Sequence, residues 1–195
     1  MQAQPPKPHE MKKVILSQRI MYNNGVAYDC TEHNWYSFFN NHNLIFLPNS
    51  QKIECKLLAD HADVFIITGG DDSNLRRSIE LKMATEMMMR KKPVIGICHG
   101  AFLLTDILGG AVTPVTGHSN TDHALYYKDR IIKVNSFHDQ AITRLHSKGK
   151  VLCVDDSGNI ESFIDDKLAG MVWHPERMSD PFIPDEIQNL YLDII

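Results

Sequence analysis

The sequence predicts an α/β fold: an open, mostly parallel central sheet with helices on both faces and a small antiparallel extension. Short apolar runs alternate with stretches of helical periodicity between Val14 and Gly110, the pattern of a parallel sheet buried on both faces. Beyond Ile131 the strand-like runs follow one another too closely for helices to intervene. The chain has 195 residues, 43% of them hydrophobic, enough for one well-buried domain and hardly for two.

Each element has its own signal. Residues 1–10 carry three prolines and little apolar content, which predicts a disordered N-terminal tail ahead of one domain over 11–195, with Met11 a candidate start. "VILS" (14–17) reads as a strand, "TEHNWYSFFNNH" (31–42) as a helix with Thr31 and Glu32 at its start, and "LIFLP" (44–48) as a second strand. "ADVFIITGG" (62–70) is a continuous apolar strand that ends in glycines. Residues 74–92 read as an amphipathic helix with Asn74 as N-cap and Leu75, Ile79, Met83 and Met87 on one face. "PVIGI" (93–97) is another buried strand, and "GAFLLTDIL" (100–108) is a short helix closed by Gly109 and Gly110. Strands follow at 131–135, 150–156, 159–165 and 169–174, with "DDSGN" (155–159) turning a hairpin.

Composition narrows the function. A net charge of −4 gives no electrostatic case for nucleic acid or an anionic membrane. No apolar run approaches the roughly 18–20 residues that span a bilayer. The first ten residues lack a secretory h-region, and the four cysteines form no CxxC pair, so the expectation is a cytoplasmic protein with free thiols. Ten histidines are scattered with no HExxH and no zinc-like spacing, so neither a metal centre nor another cofactor is expected. The oligomeric state is left open.

The candidate chemistry centres on "GICHG" (96–100). Cys98 falls where a buried strand ends and a helix begins, a turn tight enough to require small residues two before and two after it, here Gly96 and Gly100. The helix N-terminus favours a thiolate there, and the His99 N–H is free to hold an oxyanion. The plainer alternative is a core cysteine between packing glycines. A thiol nucleophile needs a base, and the base needs an orienting group. "MVWHPER" (171–177) supplies His174 after a buried strand and Glu176 two residues on. "TGGDD" (68–72) ends a strand in glycines and offers the Gly70 N–H as a second oxyanion donor.

In the order GGDD, GICHG, NSFH and WHPER, these motifs resemble the class I glutamine amidotransferase-like superfamily, most closely its stand-alone γ-glutamyl hydrolase branch. The resemblance covers nearly all of 14–180 and implies a flavodoxin-like fold. It implies a Cys98–His174–Glu176 triad, an oxyanion hole at Gly70 and His99, and a glutamyl pocket lined by "VNSFHDQ" (134–140), with Asn135, Ser136, Phe137 and His138. The family often has glutamine four residues after the nucleophile; Phe102 stands there, which puts free glutamine in doubt as a substrate. The opening "ILSQR" with "LPN", "TGGDD" and "WHPER" is similar to a small branch tied to surface-polysaccharide and capsule biosynthesis, which implies a small γ-glutamyl substrate with a nucleotide-linked leaving group. Arg19, His118, His123 and His138 are the candidate contacts to that leaving group. Three other readings stay open: a glutaminase subunit of an amidotransferase, a cysteine protease or chaperone relative in which His99 serves the cysteine, and a non-enzymatic relative.

Overall fold

A computed structural model describes residues 11–191. The tail expected at 1–10 and the last four residues lie outside the described part. In chain order the strands of the first half are β1 (Lys13–Ser17), β2 (Arg19–Asn23), β3 (Val26–Cys30), β4 (Asn43–Leu47), β5 (Val64–Ile67) and β6 (Val94–Ile97). Those of the second half are β7 (Ala111–Pro114), β8 (Thr121–Tyr127), β9 (Arg130–Ser136), β10 (Gln140–Arg144), β11 (Lys150–Val154), β12 (Ile160–Asp165) and β13 (Leu168–Met171). The helices are α1 (Asn34–Phe38), α2 (Cys55–His61), α3 (Asn74–Met89), α4 (His99–Ile107) and α5 (Asp185–Leu190).

The main sheet runs β4-β1-β5-β6-β13-β12-β11-β8-β9, with β10 pairing β12 and β7. The first five strands of that order are parallel neighbours, and from β13 to β9 every pairing is antiparallel. This is the mixed sheet the sequence predicts, and the parallel part has the doubly wound strand order in which ligands gather beyond the carboxyl ends.

Alternation along the central strands builds a core on each face. Val14, Leu16, Val64, Ile66, Ile95 and Ile97 pack on one side with Trp35 and Phe39 of the α1 region. Ile15, Phe65, Ile67 and Val94 pack on the other with Cys55, Ile79, Met83, Met87 and Leu104 of the helices. Burying each such large apolar side chain contributes about 1.5–3 kcal/mol, so these strands tolerate no polar residue in their middle.

Several expectations are corrected. The helix expected over 31–42 shrinks to Asn34–Phe38, and Glu32 is not at its start; it pairs with Arg19 and Arg177 instead. The N-cap of α3 is Ser73, whose Oγ accepts from the Arg76 N–H, in place of Asn74. Leu75 is 44% exposed, and the buried face of α3 carries Arg76 and Glu80 beside Ile79, Met83 and Met87. The strand at 169–174 ends at Met171. The hairpin β2–β3 was not foreseen, although Asn24-Gly25 at its tip, with φ of 49° and 76°, is the strongest short-range hairpin signal.

Candidate active site

The elbow has the geometry its glycines imply. Cys98 adopts φ 50° and ψ −105°, a conformation L-residues avoid, held between β6 and α4. A Cβ at position 96 would overlap the Gly100 carbonyl group, and one at 100 would overlap the Ile67 carbonyl. Both glycines are therefore fixed by close backbone approach. The His99 N–H lies in the first turn of α4, where no intrahelical acceptor exists.

His174 follows β13 and opens a 3₁₀ turn over Pro175–Arg177. Its ring is 2% exposed, with Nδ1 2.7 Å from Glu176 Oε1. The other group acting on its ring is Cys98. Burial alone would lower the His174 pKa, but the hydrogen bonds to Cys98 and Glu176 and their negative charges outweigh it and hold the value up at about 9. The ring occupies the space a side chain at Gly69 would need. His174 is also gripped through its backbone: the Asn135 side chain accepts from the His174 N–H at 2.9 Å and donates to the His174 carbonyl at 2.8 Å.

His99 turns away. Its Nε2 lies 2.8 Å from Glu80 Oε2, and Glu80 is buried beside Arg76, Nε to Oε1 2.8 Å. Desolvation works against the Glu80 carboxylate, yet His99 and Arg76 hold its pKa below the ordinary value. Arg76 in turn donates to the carbonyls of Thr68, Gly69 and Asp71. A fully buried Arg–Glu–His chain thus braces the segment after β5 that carries Gly70, where φ is 113°. The imidazole that Cys98 acts on is His174, and the His99 side chain is committed elsewhere.

A cavity of about 410 Å³ opens at this rim, lined by Cys98, His99, His174, Gly70, Arg19, Phe102, Phe137, His138 and Arg177, among others. That size suits a small-molecule ligand. Phe137 sets its ring edge-on to His174, and the Arg177 guanidinium stands 4.8 Å from the centroid of the Phe137 ring. Two expected lining residues lie behind the wall. Asn135 braces His174, and Ser136 is fully buried with Oγ donating to the His118 carbonyl. Arg19 faces the cavity, paired with Glu32 at 3.2 Å, while its buried Nε has no hydrogen-bond partner.

Burial pushes the Cys153 thiol up to about 12 and raises that of Cys55. All four cysteines, Cys30 included, are free. The sequence reading missed Arg76, Glu80 and Arg177, because charged residues on a helix or after a turn read as solvent-facing. It also missed that His118, His123 and His138 converge with Glu161. Among the described residues no helix is long and apolar enough to cross a membrane.

Comparison with known proteins agrees with this architecture. Residues 29–194 match the family described as glutamine amidotransferase class-I. A γ-glutamyl-CDP-amidate hydrolase of Campylobacter jejuni is 26% identical over 178 residues, covering 83% of this chain and 88% of that protein. Among crystal structures, a protein assigned as a GMP synthase A subunit from Thermoplasma acidophilum superposes with a TM-score of 0.73 at 15% identity, covering 95% and 94% of the two chains. A glutamine amidotransferase from Thermotoga maritima gives 0.67 at 12%, covering 95% and 82%. At these identities the two structures speak for the fold alone.

Proposed function

We propose a function from one premise: the chain belongs to the glutamine amidotransferase class-I family. It hydrolyses a γ-glutamyl amide through a thioester on Cys98 and releases glutamate. The observation that carries this reading is His174, hydrogen-bonded to Glu176 and raised in pKa by Cys98 and Glu176 together, at a 410 Å³ cavity that Cys98 and His174 both line.

The Cys98 thiolate attacks the γ-carbonyl carbon. The oxygen takes up the negative charge and is held by the N–H groups of His99 and Gly70, donors of a kind whose individual loss costs about 3 kcal/mol of transition-state stabilisation. His174, protonated near neutral pH, donates from Nε2 to the leaving nitrogen; the C–N bond breaks and a glutamyl thioester remains. The neutral imidazole then takes a proton from water, the water oxygen adds to the thioester, and the C–S bond breaks to give glutamate and the thiolate. Glu176 fixes Nδ1–H throughout.

The finer reading is that the leaving group is nucleotide-linked: γ-glutamyl-CDP-amidate is cleaved to glutamate and cytidine diphosphoramidate, for modification of capsular polysaccharide in the cytoplasm. Its support is the resemblance to the Campylobacter protein of that name and the two guanidinium groups, Arg19 and Arg177, at the cavity, suited to diphosphate oxygens. Phe102, Phe137 and His138 contribute the remaining walls, and the Phe137 backbone meets the α-carboxylate or α-amine.

The test is glutamate release from a panel of γ-glutamyl amides, free glutamine and a γ-glutamyl nucleotide phosphoramidate. Cys98→Ala is expected to lower kcat by about four orders of magnitude or more on the preferred compound. Wild-type rates in that variant, or no glutamate from any panel member with the wild type, would refute the reading. A protein that prefers simple γ-glutamyl amides keeps the hydrolase and loses the nucleotide.

A further inference from the structure

We propose that His118, His123, His138 and Glu161 bind one divalent transition-metal ion, zinc by the preference of its ligands, and that this ion ties the wall of the active-site cavity to strand β12. The four residues come from four separate segments. His118 lies in the β7–β8 connection, His123 on β8, His138 after β9 and Glu161 on β12. One ligand atom from each lies within 4.8 Å of all the others. In a tetrahedral zinc site such atoms stand about 3.4 Å apart, so small side-chain rotations close the shell.

The polar atoms of the cluster satisfy one another poorly. His138 and Glu161 have side chains only 1% exposed. His138 Nε2, His123 Nε2 and Glu161 Oε2 are buried without a hydrogen-bond partner. His123 Nε2 stands 3.3 Å from Glu161 Oε2, an ion-pair contact without good hydrogen-bond geometry, and His138 Nε2 is 3.9 Å from Glu161 Oε1. Buried polar groups without good hydrogen bonds are destabilising, and a cation shared among them removes that penalty.

The outer contacts fit the same ion. The Nδ1–H of His138 donates to the Gln140 carbonyl at 2.7 Å, which leaves the Nε2 lone pair facing inward. His118 Nε2 is 3.5 Å from Asp155 Oδ2 while its Nδ1 faces His123 Nδ1 at 3.1 Å. A ring nitrogen on a carbonyl with the other nitrogen free, as in His138, is how metal-ligating histidines are oriented; at His118 and His123 the ion would replace the bond between their two Nδ1 atoms. Imidazole and carboxylate donors without sulfur favour zinc and its neighbours over calcium or magnesium. Four protein ligands complete a tetrahedron and leave no open position, so the ion is structural. The loops it holds carry Ser119, Phe137 and Asp139, which line the cavity.

The test uses the full chain stripped of metal by a chelator. Zn²⁺ is titrated by calorimetry and Co²⁺ by visible absorption, in the wild type, Cys98→Ala, His123→Ala and Glu161→Gln. The expected result is one equivalent in the wild type and in Cys98→Ala, with the ligand-field bands of a four-coordinate cobalt site and no sulfur-to-cobalt charge-transfer band. Affinity is expected to fall about 100-fold in His123→Ala and Glu161→Gln, and Zn²⁺ to raise the melting temperature of the wild type and of Cys98→Ala but not of the two ligand variants. Absence of one-equivalent binding in the wild type overturns the proposal. So does binding that is lost in Cys98→Ala, since the ion would then sit on the catalytic pair. If the ligand variants do not fold, the wild type and Cys98→Ala decide alone.

Discussion

His174 is buried, yet it holds its proton more tightly than a histidine in water, because Glu176 and Cys98 flank its ring on both sides. Its raised pKa has a direct kinetic consequence. If the imidazolium protonates the leaving nitrogen, activity persists up to about pH 9 and falls as the ring deprotonates above it. Glu176→Gln keeps a hydrogen-bond acceptor but removes the charge, so the alkaline limb of kcat/KM should move down by about one to two pH units. The rate at neutral pH should drop by roughly 10²–10⁴, the range set by losing the carboxylate of a triad. An unmoved limb in a pH–rate series would mean that Glu176 does not set the charge on His174. These three residues were legible in the sequence because their types and local turns are diagnostic. The roles of Asn135 and the buried guanidinium of Arg76 were not, since nothing in the local sequence says that a polar side chain will face inward.

Helix α3 illustrates how an element can be read in outline and misread in detail. Its period gave Ile79, Met83 and Met87 as core, and all three are fully buried. The same period placed Leu75 inward, but that end of the helix faces the loop after β5, whose bare carbonyls need donors rather than methyl groups. Arg76 supplies them, and Glu80 supplies the counter-charge to Arg76 and a hydrogen-bond partner to the His99 ring. Breaking such a buried set by removing one charge costs about 3–5 kcal/mol. Glu80→Gln should therefore lower the urea midpoint by that equivalent, and activity with it, because the Gly70 segment loses its brace. The double variant Arg76→Met/Glu80→Met should recover part of the stability but not the activity. A Glu80→Gln protein as stable as the wild type would show that the charge is dispensable to the fold.

At the scale of the molecule, the candidate active site lies where the parallel and antiparallel parts of the sheet meet. The parallel half delivers Cys98 after β6 and Gly70 after β5, and continuous apolar runs made those strands readable. The antiparallel half was only partly readable. Two strands of similar alternation can pair with several partners, and neither the pairing of β10 with β7 and β12 nor the convergence of three histidines is encoded in local spacing. Asn135 comes from that half: it sits on β9 and holds the backbone of His174, which follows β13 of the other. The residue was expected to contact substrate; the geometry makes it a positioning residue, and kinetics separate the two roles. Loss of a substrate contact raises KM, whereas a displaced His174 lowers kcat. Asn135→Ala frees one backbone N–H and one carbonyl at His174, and misplacement by about 1 Å costs on the order of 10²-fold in rate. Steady-state assays on the preferred γ-glutamyl amide should give kcat reduced by about 10–100-fold with KM changed less than about threefold. A KM raised by the larger factor at unchanged kcat would return Asn135 to the substrate pocket and leave the two halves of the sheet joined at the active site by contacts other than this one.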